Sequence, residues 1–267
     1  MKTIKLTLAY LGERYNGWQI QPEYPNLSTI QGELHKGLNI ITEEEVQTVG
    51  AGRTDAGVNA LGQVAVFRTN SSIPCDRYPE ALKGILPEDI VVYRGETVED
   101  NFNVIKDAKG KWYRYHIWTG KYPHVFLNKM SIHIKQELDC AKMAEAASLF
   151  KGEHDFRSFC VVKTAKKNSI RNIKECKVSR HGNFIFLDIY GDGFLHNMVR
   201  IIAGTLINVG CGKLVPEDIP RIIEARDRNL AGPTVPAKGL CLVKVDYEIK
   251  ESFFCKAENL DMPLVFY

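Results

Sequence analysis

The segment from Gly50 to Val58, GAGRTDAGV, is the densest group of residues in the chain that could do chemistry. Its three glycines permit backbone conformations that let a loop approach a ligand closely. Arg53 lies two positions before Asp55 and could keep that carboxylate ionised and oriented, so Asp55 is a candidate nucleophile or general base. By spacing alone, such an aspartate more often caps a turn or pairs with a nearby arginine.

Two basic stretches indicate a polyanionic partner, although the formal net charge of the 267 residues is only +3. Range 157–180 holds eight basic residues and one acid, a local charge of +7. Range 106–121 interleaves basic and aromatic residues, which suits phosphate pairing with base stacking and favours RNA. Either stretch alone is as well explained by a solvated charged face. The basic residues of the first stretch are Arg157, Lys163, Lys166, Lys167, Arg171, Lys174, Lys177 and Arg180.

Composition disfavours several classes of protein. With 45% hydrophobic and 25% charged residues, the chain can bury a core without metal or disulfide support. Residues 1–18 lack a long apolar stretch, so we expect no signal peptide, no membrane span and a cytoplasmic location. Seven cysteines stand without a CxxC pair and are interpreted as reduced, mostly buried thiols. No metal site is expected, because no His/Asp/Glu cluster has ligand spacing, and a metal-dependent nuclease or hydrolase has little support.

The first part of the chain alternates strands and helices. Range 2–9 has period-two alternation and predicts a half-buried strand. Ser28 and Gln31 resemble a capping box, and apolar residues follow at helical spacing to Ile41. The remaining predictions here are strands at 62–67 and 90–95, a helix at 78–85, and a crossover at 96–110.

The second part repeats this alternation. Strict alternation predicts a strand at 111–118, and Asp139 can cap a helix ended by Gly152. Ranges 170–178 and 184–190 predict a hairpin that turns through His181, Gly182 and Asn183. An apolar helical stripe runs over 195–209, and a last strand covers 240–247.

No linker divides the chain, so we expect two similar α/β halves that share one continuous sheet, with a cleft between them. The predicted halves are residues 1–105, which carry the Asp55 loop, and residues 106–267.

Seven motifs follow one another along nearly the whole chain. They are YNGWQ (15–19), AGRTDAGVNALGQV (51–64), LPEDI (86–90), KWYRY (111–115), GEHDF (152–156), FLHNMVR (194–200) and AKGL (237–240). In this order they resemble the TruA family of tRNA pseudouridine synthases. The resemblance implies the pseudouridine synthase fold, an α+β fold whose mostly antiparallel sheet has helices on one face and a central RNA-binding cleft.

The resemblance also implies roles for individual residues. Asp55 matches the family's catalytic aspartate, Arg53 its oriented partner, and Tyr113 the aromatic residue that stacks on the target base. Arg200 ends the family's MVR motif and would stabilise charge near Asp55, whereas without the resemblance it would be a surface ion pair. Leu240 would line the uracil pocket. The candidate RNA contacts are Trp18, for which simple packing is the alternative, Lys111, Lys166, Lys167 and Arg171.

Some positions depart from the family pattern. Asn59 stands where histidine is common, Asn103 and Ile105 replace the histidine and arginine of an FHAR-like segment, and Lys83 and Gly84 interrupt an ALN segment. Losing polar groups that could contact phosphate would shift the target.

The resemblance implies a cofactor-free, homodimeric enzyme that isomerises uridine to pseudouridine on the 3′ side of the anticodon arm of tRNA. One alternative is a paralogue that modifies other tRNA positions or ribosomal RNA. Another is a non-catalytic RNA-binding protein, against which the intact set of Arg53, Asp55, Tyr113 and Arg200 argues.

Overall fold

The computed structural model describes residues 1–161 and 168–248. The segments with period-two alternation of apolar and polar residues form strands of one large sheet. Within these residues the sheet has ten strands, in the order β4-β1-β3-β10-β5-β9-β8-β7, with β2 beside β3 and β6 beside β5. Their bounds are β1 (Lys2–Tyr10), β2 (Val49–Gly50), β3 (Asn59–Thr69), β4 (Ile90–Val98), β5 (Gly110–Trp118), β6 (Ile132–His133), β7 (Gly152–Asp155), β8 (Ile170–His181), β9 (Phe184–Gly191) and β10 (Leu240–Asp246). Of the strand pairs formed by the described residues, β3–β10 and β5–β6 are parallel and the others antiparallel, so the predicted mostly antiparallel sheet is confirmed.

Strand β10 joins the two parts of the sheet. It pairs in parallel with β3, where Cys241 lies opposite Asn59, and antiparallel with β5, where Leu242 lies opposite Tyr113. The start of β3, which follows the Asp55 loop, is therefore one strand away from Tyr113.

The helices pack on one face of the sheet, as the family resemblance implied. They are α1 (Ile30–Thr42), α2 (Tyr78–Leu82), α3 (Cys140–Ser148), α4 (Met198–Gly210) and α5 (Asp218–Ala225). Their buried side chains form one core with alternate strand residues such as Ile4, Leu6 and Leu8, each 0% exposed. Trp112, Tyr190 and Val243 form a separate small cluster, as expected for the opposite face of the sheet.

Several predicted boundaries were wrong by a few residues. Thr29, and not Ser28, caps α1, because its hydroxyl accepts a hydrogen bond from the Gly32 amide at 3.2 Å. The predicted helix at 78–85 ends at Leu82, since Lys83 is extended and Gly84 has φ +88°. The helix capped by Asp139 ends at Ser148, and Gly152 begins β7.

Three short strands, β2, β6 and β7, and helix α5 were not predicted. The strands have two to four residues, too few to show a period. Both strands of the predicted hairpin are confirmed, with Gly182 at φ +58° in the turn between β8 and β9.

Candidate active site

The loop that carries Asp55 connects β2 to β3, which pair antiparallel with Gly50 opposite Ala65. Gly50 lies against the Trp18 indole, where a Cβ would come within 2.5 Å of the ring. Gly57 has φ +78°, a conformation that other residues rarely adopt. The predicted close backbone approach is therefore made by Gly50 to a protein side chain.

A network of buried hydrogen bonds fixes the backbone of the Asp55 loop. The Tyr10 hydroxyl and the Thr54 hydroxyl lie 2.7 Å apart, and the Gln63 side chain donates to the Gly52 carbonyl at 2.8 Å. Tyr10, Thr54 and Gln63 are 4%, 7% and 0% exposed. The Trp18 amide donates to the Thr54 carbonyl at 3.0 Å. The backbone on both sides of Arg53 is thus fixed, which limits where the Asp55 carboxylate can lie.

Two cationic or ionisable groups approach the Asp55 carboxylate. Arg200 Nη1 lies 3.5 Å from Asp55 Oδ2, and His196 Nε2 lies 3.5 Å from Asp55 Oδ1. The three side chains are 29%, 17% and 45% exposed for Asp55, Arg200 and His196 respectively. The carboxylate therefore has a fixed positive neighbour on one oxygen and a titratable one on the other.

Arg200 is itself held in place by the start of α4. Its Nε donates to the Val235 carbonyl at 2.8 Å and its Nη1 donates to Asn197 Oδ1 at 2.6 Å. Asn197 precedes α4 in the left-handed conformation, with φ 62° and ψ 5°. Asparagine tolerates that conformation better than most residues, so Asn197 both begins the helix and orients the guanidinium.

Tyr113 and Leu240 form the wall of the same cleft. The cleft has a volume of about 760 Å³, and Asp55, Tyr113, Leu240, Trp18 and Lys111 are among its lining residues. Tyr113 is 8% exposed and meets Phe194 edge to face, with ring centroids 5.2 Å apart. Burial raises the pKa of Tyr113, and the Asp55 carboxylate raises it further, so the phenol is neutral at physiological pH.

A second cleft, of about 590 Å³, meets the first at Asp55. Both clefts are lined by Gln19, Thr54, Asp55, His196 and Asn197, while Arg200 lines the second. The Asp55 carboxylate is therefore reachable from two sides.

Not every predicted contact is present. Arg53 is exposed and lines the cleft, but no hydrogen bond or ion pair joins it to Asp55 within the described residues. Of the two arginines, it is Arg200 that lies beside the Asp55 carboxylate in the described part of the chain. Trp18 is 2% exposed and packs on Gly50, so its indole is buried in the cleft wall and is not displayed for stacking with RNA.

The two basic stretches are only partly available to a polyanion. Arg114 pairs through two nitrogens with Asp188, at 2.8 and 3.0 Å, and Trp112 and Tyr115 are buried. Arg114, Trp112 and Tyr115 are therefore engaged within the protein and are not displayed for RNA. Lys111 and Arg171 are partly buried near one another. Lys163, Lys166 and Lys167 lie outside the described residues.

The departures from the family pattern differ in their surroundings. Asn59 is 3% exposed, accepts from the Gly12 amide at 2.8 Å and donates to the Lys238 carbonyl at 2.9 Å. It ties the start of β3 to the turn just before β10 and is buried in the protein. Asn103 caps a turn through its side-chain oxygen, and Ile105 is 54% exposed in the wall of the cleft.

His196 and Gln63 were not predicted as site residues, although they lie inside the motifs FLHNMVR and AGRTDAGVNALGQV. His196 stands four positions before Arg200, but the helix begins only at Met198, so helical spacing gave no reliable signal. Among the described residues there is no group of three His, Cys, Asp or Glu side chains that could hold a metal ion. No helix in the described ranges has the length and apolar character needed to cross a membrane.

The cleft contains an aspartate beside an arginine, Asp55 and Arg200, and its wall includes the buried aromatic ring of Tyr113. This combination fits an enzyme that acts on a planar base. A family model described as tRNA pseudouridine synthase matches residues 7–105 and 146–248. The chain belongs to the tRNA pseudouridine synthase family.

Individual relatives agree over nearly the whole length. The protein named tRNA pseudouridine synthase A of Moorella thermoacetica is 48% identical over 247 residues, which cover 92% of this chain and 100% of that protein. The protein of the same name from Acetivibrio thermocellus is 45% identical, with 92% and 100% covered. That of Bacillus subtilis is 42% identical, with 92% and 99% covered.

Proposed function

We propose that this protein isomerises uridine to pseudouridine in the anticodon stem-loop of tRNA, with Asp55 as its catalytic carboxylate. The observation that carries the proposal is the position of Asp55, which lies 3.5 Å from Arg200 and lines the same cleft as Tyr113. We further propose that residues 1–105 supply the Asp55 wall and residues 106–267 supply the Tyr113 wall.

The reaction breaks the bond from C1′ to N1, turns the uracil and joins C1′ to C5, while C5 loses a proton and N1 gains one. Asp55 either attacks C1′ or removes the proton on C2′, and neither route requires a cofactor. Tyr113 and Leu240 would hold the detached uracil, because a base that leaves the cleft cannot rejoin the sugar. Because burial raises the pKa of Tyr113, its phenol stays protonated and would stack on the uracil.

The decisive experiment maps pseudouridine, by carbodiimide labelling and primer extension, in RNA from a strain without this protein. The strain is complemented with wild type, with Asp55→Asn, or with Asp76→Asn as a matched control on an exposed turn. Loss of anticodon-arm pseudouridines that wild type and the control restore, and Asp55→Asn does not, supports the proposal. An unchanged RNA would favour binding without catalysis.

A second candidate is the same chemistry at other tRNA positions or in ribosomal RNA. Ile105 favours it, because this exposed apolar side chain lies in the cleft wall where family members carry arginine. The same mapping separates the two targets: pseudouridine lost outside the anticodon arm would reassign the substrate. An Ile105→Arg variant that regained anticodon-arm sites would identify the residue responsible.

We propose that the protein is a homodimer in the cytoplasm, where its proposed substrate is found. Tyr122, Val125 and Phe126 are 70%, 85% and 86% exposed in one loop, and an apolar patch of this kind is typical of an interface. Sedimentation of wild type and of Val125→Glu/Phe126→Glu tests this, since the variant should sediment as a monomer.

A further inference from the structure

Lys111 is a cation in the cleft wall that the reaction above does not use. It lies two residues before Tyr113 on β5, so both side chains point to the same face of the sheet. Its side chain runs along the Asp55 loop, where a Cβ added at Gly52 would be 3.5 Å from the Lys111 Nζ. The ammonium group is therefore next to the loop that carries the catalytic carboxylate.

The ammonium group of Lys111 is not paired with a carboxylate of the described residues. Within residues 1–161 and 168–248, no hydrogen bond or ion pair of its ammonium group is found. Burial lowers its pKa, and the nearby Arg171 lowers it further, while Asp192 opposes both. Lys111 and Arg171 thus lie near a single acid, Asp192. The Asp192 carboxylate also accepts a hydrogen bond from the Asn172 amide at 3.2 Å.

Backbone carbonyls hold the Arg171 guanidinium near Lys111. Its Nη1 donates to the carbonyls of Ile170 and Asn168 at 2.6 and 3.2 Å, and its Nε lies close to Gly193. Neutral carbonyls orient a guanidinium without cancelling its charge, so the group can still attract an anion.

Neighbouring basic residues are arranged differently. Lys177, on the same strand as Arg171, lies 3.1 Å from Glu175, and Lys151 lies 3.1 Å from the same residue. Each of these two lysines is thus within ion-pair distance of a carboxylate. No ion pair of this kind is found for Lys111 or Arg171 within the described residues.

We propose that Lys111 and Arg171 form a subsite for one backbone phosphodiester of the RNA, beside the uridine that stacks on Tyr113. Two residues along a strand span about 7 Å, which is comparable to the step from a base to an adjacent phosphate. A phosphate relieves the repulsion between the two cations and replaces the water that Lys111 has lost on burial. This subsite deepens the proposed function and depends on RNA being the substrate.

The test measures binding of tRNA transcript at increasing KCl for wild type, Lys111→Met, Arg171→Met and the matched control Lys177→Met. Each phosphate contact contributes about 0.7 to the slope of log affinity against log salt on single-stranded RNA. We expect Lys111→Met and Arg171→Met each to lower that slope by about this amount and to weaken binding roughly tenfold. Lys111→Arg should keep the slope, and Lys177→Met should match wild type.

An anticodon-arm RNA with one methylphosphonate linkage beside the target uridine gives the second arm. The neutral linkage should weaken binding to wild type. It should leave binding to Lys111→Met unchanged, because this variant already lacks the ammonium group that would bind the phosphate charge. Equal losses for both proteins, or an unchanged salt slope in both cation variants, would overturn the subsite. Pseudouridine formation is scored separately, so wild-type protein that binds but never converts the RNA would sink the proposed function instead.

Discussion

Replacing Arg200 with glutamine should slow pseudouridine formation strongly while leaving tRNA binding and folding nearly intact. Arg200 is the fixed positive neighbour of Asp55, at 3.5 Å, and its position is set by Asn197 and the Val235 carbonyl. Glutamine keeps a donor of similar reach but removes the charge. The variant therefore tests whether the charge beside Asp55 serves the reaction.

The magnitude follows from the distance between the two charges. At 3.5 Å, two unit charges interact by about 1 kcal/mol at the dielectric constant of water and by about 5 kcal/mol at an effective value near 20. Because Arg200 is 17% and Asp55 29% exposed, we expect a value between these limits, about 3 kcal/mol. If Arg200 stabilises the charge that develops in the transition state by a comparable amount, its loss lowers kcat roughly a hundredfold.

Release of tritium from tRNA labelled at C5 of uridine measures the rate, because C5 loses its proton when the new bond forms. Single-turnover rates are compared for wild type, Arg200→Gln, Arg200→Lys and Arg94→Gln, an exposed arginine paired with Glu96. Arg200→Lys should fall between wild type and Arg200→Gln. A rate for Arg200→Gln within about threefold of the control would refute the electrostatic reasoning.

Three further predictions concern the supports of the site. Asn197→Gly should lower kcat without changing Tm, because glycine accepts the left-handed backbone but cannot hold Arg200, whereas Asn197→Ala should also lose about 1 kcal/mol of stability. Gln63→Leu should cost about 1–3 kcal/mol in urea denaturation, since it strands the buried Gly52 carbonyl, and an unchanged midpoint would contradict this. Burial lowers the pKa of His116 to about 4 from 6.5. As the pH falls from 6.5 to about 4, His116 binds a proton in the unfolded chain but not in the native protein. The free energy of unfolding should therefore fall by up to about 3 kcal/mol over this pH range, and His116→Gln should remove this contribution.

Local patterns predicted much of the fold and the centre of the site. Alternation predicted β1 and β5, the HGN turn predicted the β8–β9 hairpin, and the family motifs predicted that Asp55 and Tyr113 share a cleft. In each of these cases the information lies within a few neighbouring residues or within one motif.

Contacts between distant parts of the chain could not be predicted in this way. Alternation places Arg114 on a face of β5 but does not say that Asp188 lies opposite it on β9 and pairs with it. The burial of Trp18 depends on Gly50, which is distant in sequence. The contact of Arg200 with Asp55 likewise joins a helix to a distant loop, and it was expected only from the family's MVR motif.

The central place of β10 gives the order of synthesis a consequence. Among the strands of the described residues, β10, which joins β3 to β5, is the last to be synthesised, and the hydrogen bond from Asn59 to the Lys238 carbonyl can form only after residue 238 has been made. A nascent chain therefore cannot assemble the two walls around Asp55 until translation has passed residue 246. Chains truncated before that point lack the strand between β3 and β5 and therefore cannot form the two-walled cleft.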